Sequence, residues 1–212
     1  MSFTQKLIDG IVNFRKVDFE THKNLFQELK DGQKPHTLFI ACSDSRIDPN
    51  MITGALPGEL FIIRNVANII PPYRETTEYV ATTSAIEYAV QMLEVENIIV
   101  CGHSNCGGCS ASLNASERLT ALPHTKKWLE LIEPVKNRVL KEFSADEPEA
   151  REWMMEQVNV VEQLRHLMSY PYIYDKVMSG QLIISGWHYM IETGEVFIYD
   201  RKAGEFRLAN GV

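Results

Sequence analysis

The residues able to do chemistry gather in two short stretches, Cys42-Ser-Asp-Ser-Arg46 and Cys101-Gly-His-Ser-Asn-Cys-Gly-Gly-Cys109. The chain has four cysteines, and three of them crowd around His103. Cysteine clustered beside histidine reads as metal or redox chemistry before it reads as a disulfide framework. Zinc takes thiolate and imidazole ligands in a tetrahedral array, and a catalytic zinc keeps three protein ligands and one open position. His103 and Cys106 are spaced so that a turn entering a helix can aim both at one ion. Cys42 would be the third ligand, delivered from a distant part of the chain. Such a set belongs to a folded domain and not to a zinc-finger loop.

Other readings of the same residues stand beside this one. Cys101 lies inside an apolar run and reads as a small hydrophobe, as does Cys109. Cys106-Gly-Gly-Cys109 also fits the C-x-x-C pattern of thiol redox proteins, with Cys106 as nucleophile at a helix N-terminus. That reading leaves Cys42, Asp44, Arg46 and His103 without a role. His22, His36, His124, His166 and His188 read as surface or packing residues. Asp44 and Arg46 are near enough in sequence to pair, and a bidentate arginine keeps a carboxylate ionised and fixes its direction. In isolation this would be an ordinary loop ion pair of little worth. Beside a zinc ligand, the fixed carboxylate can accept a hydrogen bond from zinc-bound hydroxide and aim it at an electrophile.

Buried strands and their connections must place these groups. Thr37–Cys42, Phe61–Ile63 and Asn97–Gly102 are short apolar runs that read as buried strands, and the first and third end at the two chemical stretches. Leu182–Trp187 and Glu195–Tyr199 flank a Glu192-Thr-Gly194 turn and read as a hairpin. Helical periodicity covers Leu7 to Leu29, with Gly32 as a stop, then Thr76 to Leu93 and Leu119 to Met168, where Pro134 and Pro148 interrupt or start elements. Alternating strands and helices define an α/β domain with a mostly parallel sheet and an antiparallel edge strand, flanked by helices. Ligands in such sheets sit beyond the carboxyl ends of strands at a topological switch point, where Cys42 and His103 both fall.

Composition removes several function classes. With 212 residues the chain is expected to form a single domain, large enough to bury a core without staples. The 21 Lys and Arg against 28 Asp and Glu leave a net charge of −7, which argues against a nucleic-acid partner. No stretch approaches the ~20 apolar residues of a membrane span. The first ten residues carry no long apolar run, so no secretory signal is read there and a cytoplasmic location is expected.

Together, Cys42-Ser-Asp-Ser-Arg46 and His103-Ser-Asn-Cys-Gly-Gly108 resemble the β-class carbonic anhydrases of bacteria and plants. The resemblance extends through Pro57–Phe61, Arg64–Asn68, Ala85–Tyr88 and Gly186-Trp187, and covers most of the chain from about residue 33 onward. It implies one zinc per chain on Cys42, His103 and Cys106, an Asp44–Arg46 catalytic dyad, and reversible hydration of carbon dioxide to bicarbonate and a proton. It further implies substrate contacts from Gln33 and the Gly107 amide, and an apolar pocket of Phe61, Val66 and Tyr88. That pocket is implied to form across a homodimer, or within a tetramer of dimers, with residues 1–34 as a helical clasp on the partner. One subgroup closes by swinging its aspartate, here Asp44, onto zinc. Phe39 stands where that subgroup carries Trp, so the sequence is more similar to the open, plant-like subgroup. Hydrolysis of carbon disulfide or carbonyl sulfide on the same fold remains an alternative.

Overall fold

Thr37–Cys42 is buried at every position and carries Leu, Phe and Ile in succession, the pattern of a strand covered on both faces. It is the centre around which the computed structural model is organised; the structure describes residues 2–114 and 117–209. The chain runs through α1 (Phe3–Lys16), α2 (Asp18–Thr21), α3 (Lys23–Leu29), β1 (Thr37–Cys42), α4 (Pro49–Thr53), β2 (Leu60–Asn65), α5 (Ala81–Glu87), β3 (Asn97–His103) and α6 (Gly107–Leu113). It continues through α7 (Glu117–Thr120), α8 (Pro123–Leu129), α9 (Glu133–Glu142), α10 (Pro148–Leu167), α11 (Pro171–Met178), β4 (Ile183–Tyr189), β5 (Val196–Asp200) and β6 (Glu205–Leu208). Two compact units divide it, Met1–Lys34 and Pro35–Val212.

In the N-terminal unit, Ser2 caps α1 by accepting from the Gln5 amide at 3.2 Å. Phe26 packs against Phe14 and Phe19, with ring centroids 6.1 and 5.3 Å away. Phe3, Leu7, Ile11 and Phe14 recur on one face of α1 and are all exposed.

In the larger unit, six strands lie in the order β2-β1-β3-β4-β5-β6. The first four are parallel, and β5 and β6 are antiparallel to their neighbours. Chain order reverses between β1 and β3, which pair with Ala41 opposite Cys101. This is the switch point of an open α/β sheet.

Side chains of β1 and β3 alternate between two cores. Leu38, Ile40, Ile98 and Val100 face Ile86, Val90, Val160 and Leu164, all buried. Phe39, Ala41 and Cys101 face the other way, onto Ile47 and the Trp187 ring, whose centroid lies 5.8 Å from that of Phe39. Each fully buried Leu, Ile or Phe contributes about 1.5–3 kcal/mol. Gly102 and Gly186 let α10 approach the sheet: a Cβ there would lie 2.6 and 2.8 Å from the Val160 methyls.

Two features differ from the sequence expectation. The helix expected from Thr76 begins at Ala81, after a turn in which Thr76 Oγ1 accepts from the Glu78 amide, and it passes into a π-helical turn over Tyr88–Met92. Two antiparallel strands, not one, extend the parallel set. The additional strand, β6, is only four residues long, and it follows a turn held by Asp200 Oδ1 and by Gly204 at φ 73°. Pro134 and Pro148 start elements, as the sequence suggested: both open helices, in the first turn where the missing N–H is tolerated.

Candidate metal centre

Cys42 ends β1 and His103 ends β3, so two adjacent parallel strands deliver them side by side. The chain then turns through Asn105, at a left-handed φ of 55°, and Cys106 becomes the N-cap of α6. Cys42, His103 and Cys106 are all buried, and their ligand atoms lie within 4.8 Å of one another. Among the described residues they are the one group of this kind, and Asp44 is not part of it. Ligand atoms around a tetrahedral zinc lie roughly 3.5–4 Å apart at ordinary Zn–S and Zn–N lengths, so a small contraction brings the three into register.

The imidazole is already set for a cation. His103 Nδ1 lies 2.9 Å from the Ser104 carbonyl oxygen, to which it donates, and this leaves the Nε2 lone pair free. Nε2 is buried and has no hydrogen-bond partner. A buried polar atom without a partner calls for a ligand, and the two thiols beside it are the right company. Ser104 is itself fixed: its amide donates to the Tyr189 carbonyl at 2.9 Å, and its hydroxyl donates to Glu192 at 2.8 Å while accepting from the Ile191 amide at 2.9 Å.

Both thiols are held in the protonated form. Contact with the Cys106 thiol, followed by burial, pushes Cys42 up to about 12. Cys106 is also raised, chiefly by the neighbouring Cys109 thiol. Two thiolates side by side repel, and a divalent cation reverses that balance.

Asp44 and Arg46 pair in bidentate fashion. Arg46 Nε and its own amide donate to Asp44 Oδ1 at 2.9 and 3.0 Å, and Nη2 donates to Oδ2 at 2.7 Å. The guanidinium beside it holds the Asp44 carboxyl well below the usual carboxylate range. Arg46 Nη2 also donates to the Asn105 carbonyl at 3.0 Å, which ties the two chemical stretches together. Behind them Arg64 donates to the carbonyls of Cys42 and Asp44 at 3.0 and 2.5 Å and closes the end of β1.

Gly107 is the first residue of α6. Next to it, Gly108 packs so closely on Val66 and Ala67 that a Cβ would lie 2.9 and 2.8 Å from their side chains. This contact places the half-exposed Val66 beside the metal loop. Phe61 and Tyr88 pack on each other with centroids 6.0 Å apart, and Phe61 joins the core under α10, not the cluster containing Cys42 and Cys106. Gln33 lies in the N-terminal unit and is exposed. Cys101 and Cys109 are buried in apolar surroundings, and all four cysteines are free.

Sequence reasoning passed over one contributor. Glu156 on α10 is buried and accepts from the Cys106 amide at 2.9 Å; its other oxygen lies 3.3 Å from Nε2 of the fully buried His188. A signal was available, because Glu152, Glu156, Asn159, Gln163 and His166 recur at alternating steps of four and three along α10.

A cysteine–histidine–cysteine group at the switch point of an α/β sheet has the donor set of a metalloenzyme site. The family model described as carbonic anhydrase matches residues 37–196. A carbonic anhydrase of Helicobacter pylori is 41% identical over 201 residues, covering 93% of this chain and 90% of its relative. The solved structure of the beta-carbonic anhydrase CcaA superposes with a TM-score of 0.93 at 42% identity, covering 98% of this chain and 100% of that one. One of two tetrameric beta-carbonic anhydrases from Sordaria macrospora matches with a TM-score of 0.80 at 31% identity, over 92% of this chain and 95% of that one. The chain belongs to the carbonic anhydrase family, in its β class, and is thereby an enzyme of carbon dioxide hydration.

Proposed function

We propose that Cys42, His103 and Cys106 hold one zinc ion per chain and that Asp44 and Arg46 form the catalytic dyad of carbon dioxide hydration. The observation that carries the metal assignment is the buried, unpartnered Nε2 of His103 facing two thiols. Zinc bound there lowers the pKa of a water from ~15.7 toward neutrality.

The remaining work falls to the chain. Arg46 donates to both carboxylate oxygens of Asp44, so the carboxylate stays ionised and its direction is fixed. A lone pair left on Asp44 then accepts a hydrogen bond from the attacking oxygen and aims it. The Gly107 N–H sits in the first turn of α6, where backbone donors have no intrahelical acceptor, and is suited to a substrate oxygen. Carbon dioxide gains that oxygen, bicarbonate leaves, and one proton passes to solvent. Val66, with Phe61 and Tyr88, would supply the apolar wall for a linear nonpolar substrate, and Gln33 a hydrogen bond to it.

The pocket reading carries a homo-oligomer with it. Phe61, with Tyr88 against its ring, lies in a different cluster from the thiols, which suits a pocket completed by a second chain. The exposed apolar face of α1 suits a clasp on that chain. Tetrameric relatives support the same reading. A cytoplasmic location accords with four free thiols. No helix among the described residues is long and apolar enough to cross a membrane.

Stopped-flow carbon dioxide hydration with wild type and Asp44→Asn, alongside zinc content, tests the proposal. Wild type should carry one zinc and turn over, and Asp44→Asn should keep the zinc and lose most of the rate. An inactive wild type, or a fully active Asp44→Asn, refutes it.

A further inference from the structure

The long helix α10 presents a polar stripe to the interior. Glu152, Glu156, Asn159, Gln163 and His166 follow the four-and-three spacing that keeps side chains on one helical face. Glu156 is 4% exposed, Asn159 1% and Gln163 0%, so these are core positions given to polar groups. Such groups are expensive to bury unless each is satisfied.

Each one is satisfied by a segment that forms the site. Glu152 accepts from the Ser110 hydroxyl on α6 at 2.7 Å. Glu156 accepts from the Cys106 amide. Asn159 donates to the Ala67 carbonyl at 2.9 Å, and Gln163 accepts from the Ile70 amide at 2.7 Å while donating to Asn159 Oδ1 at 2.7 Å. His166 Nδ1 lies 2.6 Å from the Ile70 carbonyl oxygen. One rigid helix thus grips the metal loop and the Val66–Ile70 segment in a single frame. The gripped segment needs holding, because Ala67 and Asn68 sit at left-handed φ values of 61° and 48° without being glycine.

Within the stripe, Glu156 alone reaches a proposed metal ligand. Its second oxygen is turned toward His188 Nε2, and the His188 ring is wedged between Trp153 and Phe206, with centroids 5.2 and 6.2 Å away. The carboxylate is therefore held at both ends, and its reach sets where the Cys106 backbone can sit. We propose that Glu156 is a positioning residue for the metal centre: held by His188, it fixes the Cys106 backbone so that the thiol points at the ion. The proposal rests on the zinc reading above and assigns Glu156 no contact with metal or substrate.

The test separates reach from charge. Glu156→Asp keeps the charge but is one methylene too short to span Cys106 and His188. Glu156→Gln keeps the length and an oxygen that accepts from the Cys106 amide. Zinc affinity is read on the full chain by chelator competition, and ligand geometry by the thiolate-to-cobalt bands after cobalt(II) replacement. Loss of an outer-shell partner weakens metal binding about 10–100-fold, so Glu156→Asp should fall in that range with shifted cobalt bands, and Glu156→Gln should stay within about threefold of wild type. Val160→Ala, on the same helix, should lower the melting temperature and leave zinc affinity unchanged. If Glu156→Asp does not fold, Glu156→Met replaces it, having the length without the acceptor. The proposal is overturned if the Asp or Met variant binds zinc like wild type, if Gln is weakened as much as Asp, or if Val160→Ala weakens zinc equally. A wild type that takes up no zinc removes the metal reading itself, a result distinct from any failure of Glu156.

Discussion

Replacing Gly102 with alanine tests how α10 is seated on the sheet. The new Cβ would lie 2.6 Å from Val160 Cγ2, with the Glu156 carbonyl and the His188 ring at ordinary contact distances of 3.6 and 3.7 Å. Val160 is β-branched, fully buried and unable to swing away, so helix or strand must shift. Overpacking of this kind costs about 1–3 kcal/mol. Removing a glycine from the unfolded chain returns about 0.4–1 kcal/mol. The net expectation is about 1–2 kcal/mol of destabilisation, a fall of about 2–8 °C in melting temperature for a chain of this length. Val160→Ala alone deletes two methyl groups and should cost about 2 kcal/mol with its cavity. In the double variant the methyl on residue 102 enters the space that Cγ2 vacates. The two effects should therefore fall short of additivity by at least about 1 kcal/mol. Thermal unfolding of the four proteins by circular dichroism gives the cycle. An unchanged melting temperature for Gly102→Ala, or strict additivity, refutes this account of the helix seat.

Zinc uptake should release protons, since Cys42 is pushed up to about 12 and Cys106 is also raised, so both thiols are protonated at neutral pH before a cation arrives. Affinity should fall as pH falls; calorimetry in buffers of different ionisation enthalpy checks this, and pH-independent uptake would contradict it. Cys42→Ser should abolish stoichiometric zinc and Cys101→Ala should retain it, as measured by elemental analysis. Ser104→Ala removes two hydrogen bonds from the turn after His103, and should cost about 1–3 kcal/mol in urea unfolding by leaving the Ile191 amide without its acceptor. Two thiolates make zinc a weaker Lewis acid than three histidines would, so hydration rates should climb toward alkaline pH; a profile flat from acid pH upward would count against the ligand set.

The candidate site could be read from the sequence because its residue types are rare and their chemistry is local. Cys42 and His103 end apolar runs, and a parallel sheet brings such ends together without any long-range detail. The Asp44–Arg46 pairing was likewise legible, being a contact across one turn. The polar spacing along α10 marks a shared face that includes Glu156, but it does not say what that face meets. The partners of Glu156 and His188 were not legible, because they depend on how α10 crosses the sheet. β6 escaped for another reason: Glu205–Leu208 alternates polar and apolar over only four residues, and its pairing is set by the Asp200 turn. The late start of α5 reflects a side-chain turn at Thr76 competing with the first helical turn.

The location of the three proposed ligands also orders events in time. Cys42 and His103 stand on strands joined by a crossover through β2 and α5, and they meet only when β1 and β3 have paired. Closing that loop is a slow, non-local step of the kind that limits folding. A short zinc finger can recruit its ion while still unfolded, and the ion then drives its folding. This chain has no such early clasp, because Cys42 lies far in sequence from the local pair of His103 and Cys106. Metal capture at the proposed site is therefore expected late, on an already assembled sheet, with the fold formed before the ion can contribute.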